Sequence, residues 1–408
     1  MGVIEHSDGR YPQIPMTDSL YHSYQWLTSD AGTVALAEAA DLRARGLGDL
    51  KIGEVLRCAL TAEQAALVLT QLDLRERARV KFRHAEQMLF TRAGLEQATS
   101  EEIASYRARR YENQPNIIDL CCGIGGDLMA LAATNTDLTA VDLDPVHLLL
   151  AAYNVGVVAP GHDLNLLEMD VRNVPIGSGN TIFIDPARRN DRGRMRGYEC
   201  EPPLAWAIEL ADRAAGVGIK AAPGIPHELV PADWELELIS IGHDLKEAVL
   251  WSPELASATR QATTVEGGTI HSLLPEAGDE VSVRAVLPGD WLLDVNPAVT
   301  NAGLVQDLAR QIGAERIDPE IGFLVTESEP TTPFAHAYRV IDVLPWHEKR
   351  IKEAISRHDI GPIDIRRRGL PGDVDAITRR LRGKGSRRAV IAMTRMDGVP
   401  TAIICEAQ

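Results

Sequence analysis

The chain has 408 residues, of which 45% are hydrophobic and 25% charged, the ordinary balance of a folded globular protein. This composition excludes a chain disordered throughout and a collagen-like chain, and no apolar run is long enough for a transmembrane helix. The first residues lack a basic stretch followed by an apolar core, so we expect no secretory signal. At roughly 100–200 residues per domain, the length predicts about two to four domains.

Charge is distributed unevenly along the chain. The formal net charge is −16, yet the segment from Lys349 to Gln408 holds 14 Lys and Arg against 7 Asp and Glu. The rest of the chain is therefore strongly acidic. An acidic body joined to a basic C-terminal region leaves a nucleic-acid partner open, although the average charge alone would argue against one.

The cysteines indicate in which kind of cellular compartment the protein is found. There are five cysteines, an odd number, and none forms the C-x-x-C pair typical of zinc or redox sites. We therefore expect no metal and a reducing, cytoplasmic compartment.

The N-terminal part of the chain is rich in Ala, Leu, Arg and Glu, which predicts helices. Ser29 and Ser100 are candidate helix caps, and Thr61 followed by Gln64 predicts a capping box. The many charged residues are typical of solvent-exposed helix faces, and none indicates catalysis. We predict a helical domain over residues 1–112.

After Pro115, short apolar runs alternate with helix-like stretches. The runs NIIDLCC, DLTAVDLD, DLNLLEMDV, NTIFIDPA and GVGIKAAPG are bounded by Asp, Gly, Cys or Pro, and stretches such as PVHLLLAAYNVGV lie between several of them. This alternation indicates βαβ units and a parallel sheet covered on both faces. WELELISIG and KEAVLWSPEL would complete the sheet. ATTVEGGTIHSLLP and EVSVRAVLPG indicate a β-rich excursion turned at Glu266-Gly267-Gly268. We predict an α/β domain over residues 113–288.

A third region begins near Asp290. AYRVIDVLPW and GPIDIRRRG read as strands, HEKRIKEAISRHD and VDAITRRLRGKG as helices, and RRAVIAMTRMDGVPTAIICE as a hairpin turned at Asp397-Gly398. This order predicts a small, basic α+β domain over residues 289–408.

The turn L-C-C-G-I-G-G follows the first predicted strand and precedes a helix that opens at Asp127. Gly123, Gly125 and Gly126 permit positive φ angles and a close approach of the backbone to a ligand. The N-terminal amides of the helix would point towards that ligand. Such turns also occur in purely structural roles, so the turn alone is a weak signal.

Four aspartates accompany four successive strands. Asp119 lies in the first strand, and Asp142, Asp170 and Asp185 end the next three. Because ligands of open α/β sheets bind outside the carboxyl ends of the strands, we expect the four to converge on one crevice. Each could instead be a turn former or a helix cap, but the set, with the glycine turn, favours a ligand site. Asp142 could then accept hydrogen bonds from two ribose hydroxyls, and Asp170 from an adenine amino group.

The spacing of the glycine turn and the acid before it indicate the charge of the ligand. It reads G-I-G-G with Asp119 on the preceding strand, not G-x-G-x-x-G. A carboxylate beside the turn favours a positively charged sulfonium ligand over a pyrophosphate, which needs the amides without a competing anion.

NIIDLCCGIGGD, TAVDLDP, MDV and IFIDPAR together resemble the S-adenosylmethionine-dependent methyltransferases of the Rossmann-like class. The glycine turn with AVDLDPVHLLLAAYN is similar to the trimethylguanosine synthase and RNA-guanine methyltransferase branch. KFRHAEQMLFTRAGLEQATS and IDIRRRGLPGDVDAITRRLRGKG make the chain from about Lys81 onward resemble a bacterial methyltransferase group with a C-terminal THUMP-like domain. The resemblance implies a Rossmann-like methyltransferase sheet flanked by an N-terminal helical domain and a C-terminal α+β THUMP-like region. It implies the cofactor S-adenosylmethionine but no particular substrate.

The resemblance also implies which residues hold the cofactor. Nine positions would line, in turn, its methionine, ribose and adenine parts: Asp119, Cys121, Gly123, Gly125 and Gly126, then Asp142 and Asp144, then Asp170 and Val171. Cys121 would act through its backbone, and Asp144 would support Asp142.

By the same resemblance, Asp185, Pro186, Ala187 and Arg188 occupy the catalytic motif, in which Asp185, Pro186 and Arg188 would act. Amino-methylating relatives carry Asp, Asn or Ser, then Pro-Pro and an aromatic residue, and here Arg188 takes the aromatic position. Arginine can stack on a base or pair with a phosphate. The motif also resembles the D-P-P-R of RNA uridine C5-methyltransferases, which need a cysteine nucleophile; Cys200 is the nearby candidate and reads as structural. Asp185 could orient a substrate amine or accept its proton.

Two basic segments are candidates for holding a polyanion. The loop after the motif carries five arginines from Arg188 to Arg196, which we interpret as a phosphate clamp using Arg189 and Arg192; a solvated loop is the alternative. The basic C-terminal region has the footprint of nucleic-acid binding, with docking on the acidic body as the alternative. Its candidate substrate-binding residues are Arg366, Arg367, Arg368 and Arg380.

We therefore expect an S-adenosylmethionine-dependent methyltransferase that acts on structured RNA, on a base of tRNA or rRNA. Two alternatives stay open. One is a non-catalytic RNA-binding module that retains the cofactor fold, and the other is a methyltransferase of a non-RNA substrate.

Overall fold

The computed structural model describes residues 17–114, 116–134, 137–187, 189–190, 193–194 and 199–407. The contacts within it divide the chain into two compact units: Met1–Asp185 with Glu209–Ala215, and Pro186–Ile208 with Gly216–Gln408. The domain boundaries that the sequence suggested after residues 112 and 288 stay a prediction.

The first unit begins with helices, as the sequence predicted. The Gly32 N–H donates a 3.3 Å hydrogen bond to the Ser29 hydroxyl. The predicted capping box is confirmed, since Thr61 and Gln64 exchange hydrogen bonds of 3.0 and 3.2 Å between side chain and backbone. Ser100 also precedes a helix, but its hydroxyl makes no capping hydrogen bond. The helices are α1 (Thr17–Thr28), α2 (Asp30–Ala44), α3 (Asp49–Leu56), α4 (Ala62–Ala78), α5 (Arg92–Gln97) and α6 (Glu101–Ala108), followed by a 3-10 turn (Arg109–Tyr111).

Parallel strands form the sheet of the first unit, in the order β3-β2-β1-β4. β1 and β4 are buried along their whole length, as expected for parallel strands covered on both faces. Leu120, at the end of β1, lies beside Val141 and Ile184, so the carboxyl ends of the strands meet at one edge. The elements are β1 (Ile117–Leu120), α7 (Leu128–Ala132), β2 (Leu138–Asp142), α8 (Pro145–Val158), β3 (Leu164–Glu168), a 3-10 turn (Val171–Asn173) and β4 (Thr181–Ile184), with a further 3-10 turn (Glu209–Asp212). The predicted alternation of strands and helices is confirmed.

The second unit opens with a short hairpin of β5 (Arg189–Asn190) and β6 (Gly193–Arg194), then α9 (Leu204–Ile208). Five further strands follow in the order β7-β9-β8-β10-β11 within this unit. β9 is antiparallel to both β7 and β8, β10 is parallel to β8, and β11 is antiparallel to β10. Their bounds are β7 (Gly216–Ala221), β8 (Glu235–Ile241), β9 (Asp244–Trp251), β10 (Arg260–Glu266) and β11 (Thr269–Leu273), with a 3-10 turn at His227–Leu229.

The β-rich excursion is confirmed only in part. The hairpin of β10 and β11 turns at Gly267 and Gly268, both with positive φ, where the sequence placed it. EVSVRAVLPG forms no strand, and its one β contact is an isolated bridge from Val283 to Arg316. The prediction of a strand there was wrong because alternating apolar residues also occur in extended segments that pair with a single residue.

A seven-stranded sheet closes the second unit, in the order β13-β14-β12-β15-β18-β17-β16. Helices α12 and α13 cover one part of it, and their buried side chains Ile351 and Ile377 share a core with Ile365, Ile391 and Ile404 of the strands. The hairpin turned at Asp397-Gly398 is confirmed. The bounds are β12 (Trp291–Val295), α10 (Pro297–Ala302), α11 (Val305–Ile312), β13 (Glu315–Arg316), β14 (Phe323–Thr326), β15 (Ala335–Pro345), α12 (Glu348–Arg357), β16 (Ile360–Arg367), α13 (Val374–Leu381), β17 (Arg387–Met396) and β18 (Val399–Glu406).

Candidate active site

The glycine turn connects β1 to α7 through backbone conformations with positive φ. The φ angles are 63° at Cys121, 54° at Gly123 and 89° at Gly125, in the left-handed region that glycine adopts at low cost. A Cβ at Gly125 would lie 3.1 Å from the Cα of Ala151 in α8, so the turn packs closely on that helix. A Cβ at Gly123 would meet no described atom within 4 Å. The outer side of the turn is therefore open to a ligand.

The carboxylate of Asp142, at the end of β2, is fixed beside this turn. It accepts 2.9 Å hydrogen bonds from the backbone N–H groups of Gly123 and Asp144, and its Oδ1 lies 3.3 Å from the His147 Nδ1. Burial opposes its ionisation, but the bond and charge of His147 and the two backbone donors outweigh burial and lower the pKa of Asp142. An ionised carboxylate held at this place can accept hydrogen bonds from ligand hydroxyls.

Asp119 is a buried carboxylate for which the structure gives no internal partner. Its side chain is 1% exposed, and neither oxygen has a hydrogen-bond partner among the described residues. Burial raises the pKa of Asp119 well above its ordinary value, and the charges of Asp127 and Asp185 raise it further. A buried acceptor without a partner is costly unless a ligand satisfies it. A cationic ligand beside the glycine turn would supply the missing partner, so these residues fit S-adenosylmethionine.

The structure brings the four strand-end acids together, as the register of the sequence indicated. All four act on the thiol of Cys121. Burial raises the pKa of this thiol most, and the charges of Asp142, Asp185, Asp119 and Asp170 raise it further. The thiol is therefore kept protonated and is a poor nucleophile. This agrees with the expectation that Cys121 contributes its backbone.

The other predicted cofactor residues flank this cluster. Asp144 caps α8 by accepting a 2.9 Å hydrogen bond from the Val146 N–H. Asp170 caps the 3-10 turn that follows β3, with a 2.9 Å bond from the Arg172 N–H, and the Arg172 guanidinium lies 3.3 Å from the same carboxylate. Val171 is buried at the start of that turn. Both acids thus have the capping role that the alternative interpretation gave them, which does not prevent them from also meeting a ligand.

The helical segment before the sheet packs directly on the glycine turn, which sequence reasoning missed. A Cβ at Gly94 in α5 would lie 2.5 Å from Ile124 of the turn, and a Cβ at Gly126 would lie 3.2 Å from the Thr99 nitrogen. A Cβ at either position would force its neighbours to move. The glycines in TRAGLEQAT and in the turn could have indicated a close contact. Sequence alone could not show that these two segments contact each other, because they are far apart in the chain.

Asn154 in α8 ties these same parts together. Its side chain is fully buried, accepts a 2.9 Å hydrogen bond from the Leu89 N–H, and donates 3.0 Å hydrogen bonds to the carbonyls of Leu89 and Ile124. All its polar atoms are thus used to join the helical segment to the glycine turn. A polar residue on the buried face of an apolar helix was the signal that could have identified it.

Three of the four residues of the predicted catalytic motif lie within the described part of the chain. Asp185 is half-buried at the end of β4, and its N–H donates a 3.3 Å hydrogen bond to the Leu120 carbonyl at the end of β1. In the second unit, Ala187 and Glu201 pair through backbone hydrogen bonds of 2.9 and 2.8 Å, which close the neck of the arginine-rich loop. Pro186 precedes that neck and is buried.

The structure describes part of the arginine-rich loop. Arg188 and Arg192 lie outside the described residues, and Arg189 is described only by its backbone, in β5. The Cys200 thiol lies 3.3 Å from the Pro202 carbonyl and is half-buried.

The four C-terminal candidates have unlike surroundings. The Arg368 guanidinium bonds the Asp294 carboxylate at 2.9 Å and the Val295 carbonyl, and lies 5.3 Å from the centre of the Phe323 ring. Arg366 lies 3.8 Å from the same Asp294 carboxylate. Contacts made inside the protein therefore occupy Arg368 in particular.

Arg366 is exposed, as are the other two candidates. Arg380 of α13 bonds Glu348 of α12 at 2.8 Å. Arg367 is exposed and makes no ion pair in the described part of the chain; its guanidinium donates to the Leu370 carbonyl at 3.2 Å.

Across the described ranges, no helix combines the length and apolar character needed to cross a membrane. Nor does any group of three His, Cys, Asp or Glu side chains within those ranges lie close enough to hold a metal ion.

Comparison with known proteins identifies the same chemistry. The chain is 35% identical over 331 residues to an S-adenosylmethionine-dependent methyltransferase, itself uncharacterized, of Mycobacterium tuberculosis strain CDC 1551, and equally to its counterpart in strain H37Rv. Each alignment covers 78% of this chain and 89% of the relative.

Three further matches describe the fold and its parts. A crystal structure from Porphyromonas gingivalis W83, of a protein whose assignment as a methyltransferase is provisional, has a TM-score of 0.65 and 18% identity, covering 85% of this chain and 92% of that one. Residues 335–407 match the THUMP domain-like family, and residues 21–78 match a domain of unknown function, DUF8688. The fold is a Rossmann-like methyltransferase sheet with N-terminal helices and a C-terminal THUMP-like region, and the cofactor is S-adenosylmethionine. The chain belongs to the S-adenosylmethionine-dependent methyltransferases.

Proposed function

We propose that the protein methylates structured RNA, on a base of tRNA or rRNA. The observation that carries the proposal is a set of exposed cations in and around the THUMP-like region that make no ion pair in the described part of the chain. Seven side chains belong to it: Lys349, Arg350, Lys352, Arg367, Arg379, Arg382 and Lys384. Cations without internal partners are available to neutralise phosphates, which dominate the affinity of proteins for nucleic acids.

Arg382 and Lys384 lie in the loop between α13 and β17, whose backbone is held by hydrogen bonds. Gly383 N–H donates to the Gly361 carbonyl at 3.0 Å, and Gly385 N–H donates to the Ile360 carbonyl at 3.1 Å. A Cβ on Gly383 would lie 2.1 Å from the Ile360 oxygen, so only glycine permits this approach. Lys384, between the two glycines, is therefore held on a fixed backbone. A backbone already ordered before binding lowers the entropy lost when a phosphate is contacted.

In the proposed reaction the bound cofactor supplies an electrophilic methyl group on its sulfonium. The glycine turn and Asp119 hold the cationic methionine part, and Asp142 accepts hydrogen bonds from the ribose hydroxyls. Asp185 orients the attacking atom of the base and accepts its proton where that atom is an amine. Alignment of the two reactants supplies most of the rate, since methyl transfer needs little other chemistry from the protein.

The compartment is part of the same proposal. All five cysteines are free thiols. Free thiols suit a reducing compartment such as the cytoplasm, where structured RNA is also found.

The experiment that tests the proposal follows a labelled methyl group. Purified protein is incubated with methyl-labelled S-adenosylmethionine and total cellular RNA, and the RNA is then digested to nucleosides for mass spectrometry. We expect label in one modified base, lost when the RNA is degraded beforehand. Label found only in protein or in small molecules would indicate a non-RNA substrate. Cofactor binding without transfer to any fraction would indicate a non-catalytic RNA-binding module, and either result would overturn the proposal.

A matched pair of variants tests the surface itself. Replacing Arg379, Arg382 and Lys384 by glutamine removes cations without ion pairs. The control replaces Arg387 and Arg388, whose guanidinium groups pair with acids at 3.0 and 3.2 Å. We expect the triple variant to lose RNA affinity at least tenfold and to lower the salt slope of binding by about 2, since each phosphate contact contributes about 0.7–0.9. Equal losses in the control would contradict the assignment of the surface.

A further inference from the structure

A buried arginine from the helical segment lies beneath the cofactor cluster. The side chain of Arg107, in α6, is 2% exposed. Its guanidinium forms an ion pair with Asp127, at the start of α7, and a 3.1 Å hydrogen bond with the Thr99 hydroxyl. That hydroxyl donates a 2.9 Å hydrogen bond to Asp127 in turn. The guanidinium also lies 4.9 Å from the centre of the Phe183 ring in β4. Contacts with Asp127, Thr99 and Phe183 therefore fix one positive charge inside the unit.

The Arg107 guanidinium lies over the Phe183 ring of β4, and Phe183 is the in-register neighbour of Asp119 on β1, so this positive charge lies near Asp119. Burial is the largest influence on its pKa; the carboxylates of Asp127, Asp185 and Asp142 raise that pKa further, and Arg107 alone lowers it. Two neighbouring thiols complete the set, those of Cys121 and Cys122, and burial raises the pKa of each so that both stay neutral. Among the described residues that set the pKa of Asp119, Arg107 is therefore the cation that opposes its rise. Interactions in such a buried place are weakly screened by salt.

We propose that Arg107 is a positioning residue of the cofactor site, whose fixed charge favours the ionised form of Asp119 and so favours its contact with the cationic methionine part of S-adenosylmethionine. This inference rests on the proposed contact between Asp119 and that part of the cofactor. Arg107 belongs to the charged helical segment, in which no sequence motif indicates catalysis. Arginine suits the role because its guanidinium stays protonated at every accessible pH.

The inference makes a signed prediction about pH. Binding of a cation by Asp119 requires its ionised form, so affinity falls as the pH drops through the pKa of Asp119. In Arg107→Gln the opposing charge is gone, so this midpoint moves up by about one pH unit. In Asp127→Asn a like charge is gone and a cation remains, so the midpoint moves down. The double variant Arg107→Gln/Asp127→Asn falls between the two singles.

The experiment measures the dissociation constant of S-adenosylmethionine by calorimetry from pH 5 to 9 for the full chain. Thr99→Val is the matched control, because it removes the hydroxyl that bonds both partners and leaves every charge in place. We expect its midpoint to stay at the wild-type value even if its affinity or stability falls. Circular dichroism checks that each variant is folded, and Asp127→Asn keeps the test valid should Arg107→Gln fail to fold.

Two results would overturn the inference. One is an Arg107→Gln profile that is weaker at every pH by a constant factor, which is the mark of a purely structural residue. The other is an Asp127→Asn midpoint that does not move down. Asp119→Asn separates this failure from that of the proposed contact: wild-type affinity in Asp119→Asn would remove the contact itself. A loss of affinity of tenfold or more in Asp119→Asn with unmoved midpoints in the other variants would remove only the role of Arg107.

Discussion

The backbone N–H of Gly123 donates a 2.9 Å hydrogen bond to the carboxylate of Asp142. This bond joins the turn after β1 to the end of β2, which are 19 residues apart in the chain. A ligand that lies on the turn therefore also lies beside an ionised carboxylate. The bond explains why the two features that the sequence offered separately act as one site.

Replacing Asp142 by alanine should abolish measurable binding of S-adenosylmethionine. The change removes the acceptor for the ribose hydroxyls and also leaves the Gly123 and Asp144 N–H groups without the carboxylate that both now bond. Calorimetry measures the affinity. The control is Asp144→Ala, which removes a helix cap and should cost about 1 kcal/mol of stability with a smaller effect on affinity. Unchanged binding in Asp142→Ala would show that the ribose contact is wrongly assigned.

The glycines of the turn should respond differently to alanine. Gly123→Ala meets no described atom within 4 Å, so its stability cost should match that of Gly161→Ala, another open position with positive φ. Because the added methyl group stands on the open side of the turn, Gly123→Ala should still weaken cofactor binding about tenfold or more. Gly125→Ala adds a contact of 3.1 Å to the Ala151 Cα and should lose more stability than either. Thermal unfolding and calorimetry together check the order.

If Gly123→Ala bound the cofactor as tightly as Gly161→Ala, the open side of the turn would not be where the ligand lies. That outcome would leave the crevice in place but move the methionine part of the cofactor away from the turn.

His147 should stabilise the fold most strongly in mildly acidic solution. Burial disfavours its charge, but the hydrogen bond and charge of Asp142 outweigh burial and raise the pKa of His147 above 6.5. A raised pKa contributes stability that is complete below pH 6.5 and is lost as the pH rises through the folded-state value. Asp142 has a lowered pKa in the folded state, so its own contribution to stability persists until the pH falls below about 3.8. Between these limits His147→Gln should cost about 1 kcal/mol, and near pH 9 much less. Urea unfolding at pH 5.5 and 9 measures the difference, and an equal cost at both would contradict the ion pair.

Much of this site could be predicted from sequence because its signals are local. Asp142 is the last residue of one short apolar strand and Asp185 directly follows another, and parallel strands bring such positions to one edge. Asn154 and Arg107 could not be found in this way. Asn154 bonds Leu89, 65 residues away, and Arg107 bonds Asp127, 20 residues away. In sequence, Arg107 is one of many arginines in a charged helical segment, and only the packing shows that it is buried.

The basic C-terminal region shows the same limit. Clustering of basic residues in the sequence indicated nucleic-acid binding. It could not show which of these residues are free of ion pairs within the protein. Arg368 pairs with Asp294, which lies 74 residues earlier in the chain, whereas Arg367 beside it makes no ion pair in the described part. Whether an arginine is available depends on such long-range partners.

Arg368→Lys should therefore reduce stability and leave RNA binding nearly unchanged. Lysine cannot reproduce the guanidinium contacts with Asp294 and the Val295 carbonyl, nor lie flat on the Phe323 ring. We expect a loss of about 1–3 kcal/mol in the free energy of unfolding. RNA affinity, measured by filter binding at constant salt, should change less than twofold. Arg379→Gln is the reverse case, with little change in stability and weaker RNA binding. A large loss of RNA affinity in Arg368→Lys at unchanged stability would return Arg368 to the contact surface.

Asp119→Asn should stabilise the protein without its cofactor while weakening cofactor binding. Burial and the neighbouring carboxylates raise the pKa of Asp119 well above the ordinary value of 3.8. Above about pH 4 this carboxyl group ionises in the unfolded chain but stays protonated in the folded one, which lowers the free energy of unfolding. The loss grows with pH until the folded-state pKa is reached. Asparagine carries no such penalty, and its gain of about 1 kcal/mol or more should appear at neutral pH and vanish below pH 4. Urea unfolding across this range measures it. A variant that is less stable at every pH would mean that Asp119 has an internal partner, and its role would then be to hold the turn together rather than to receive a cation.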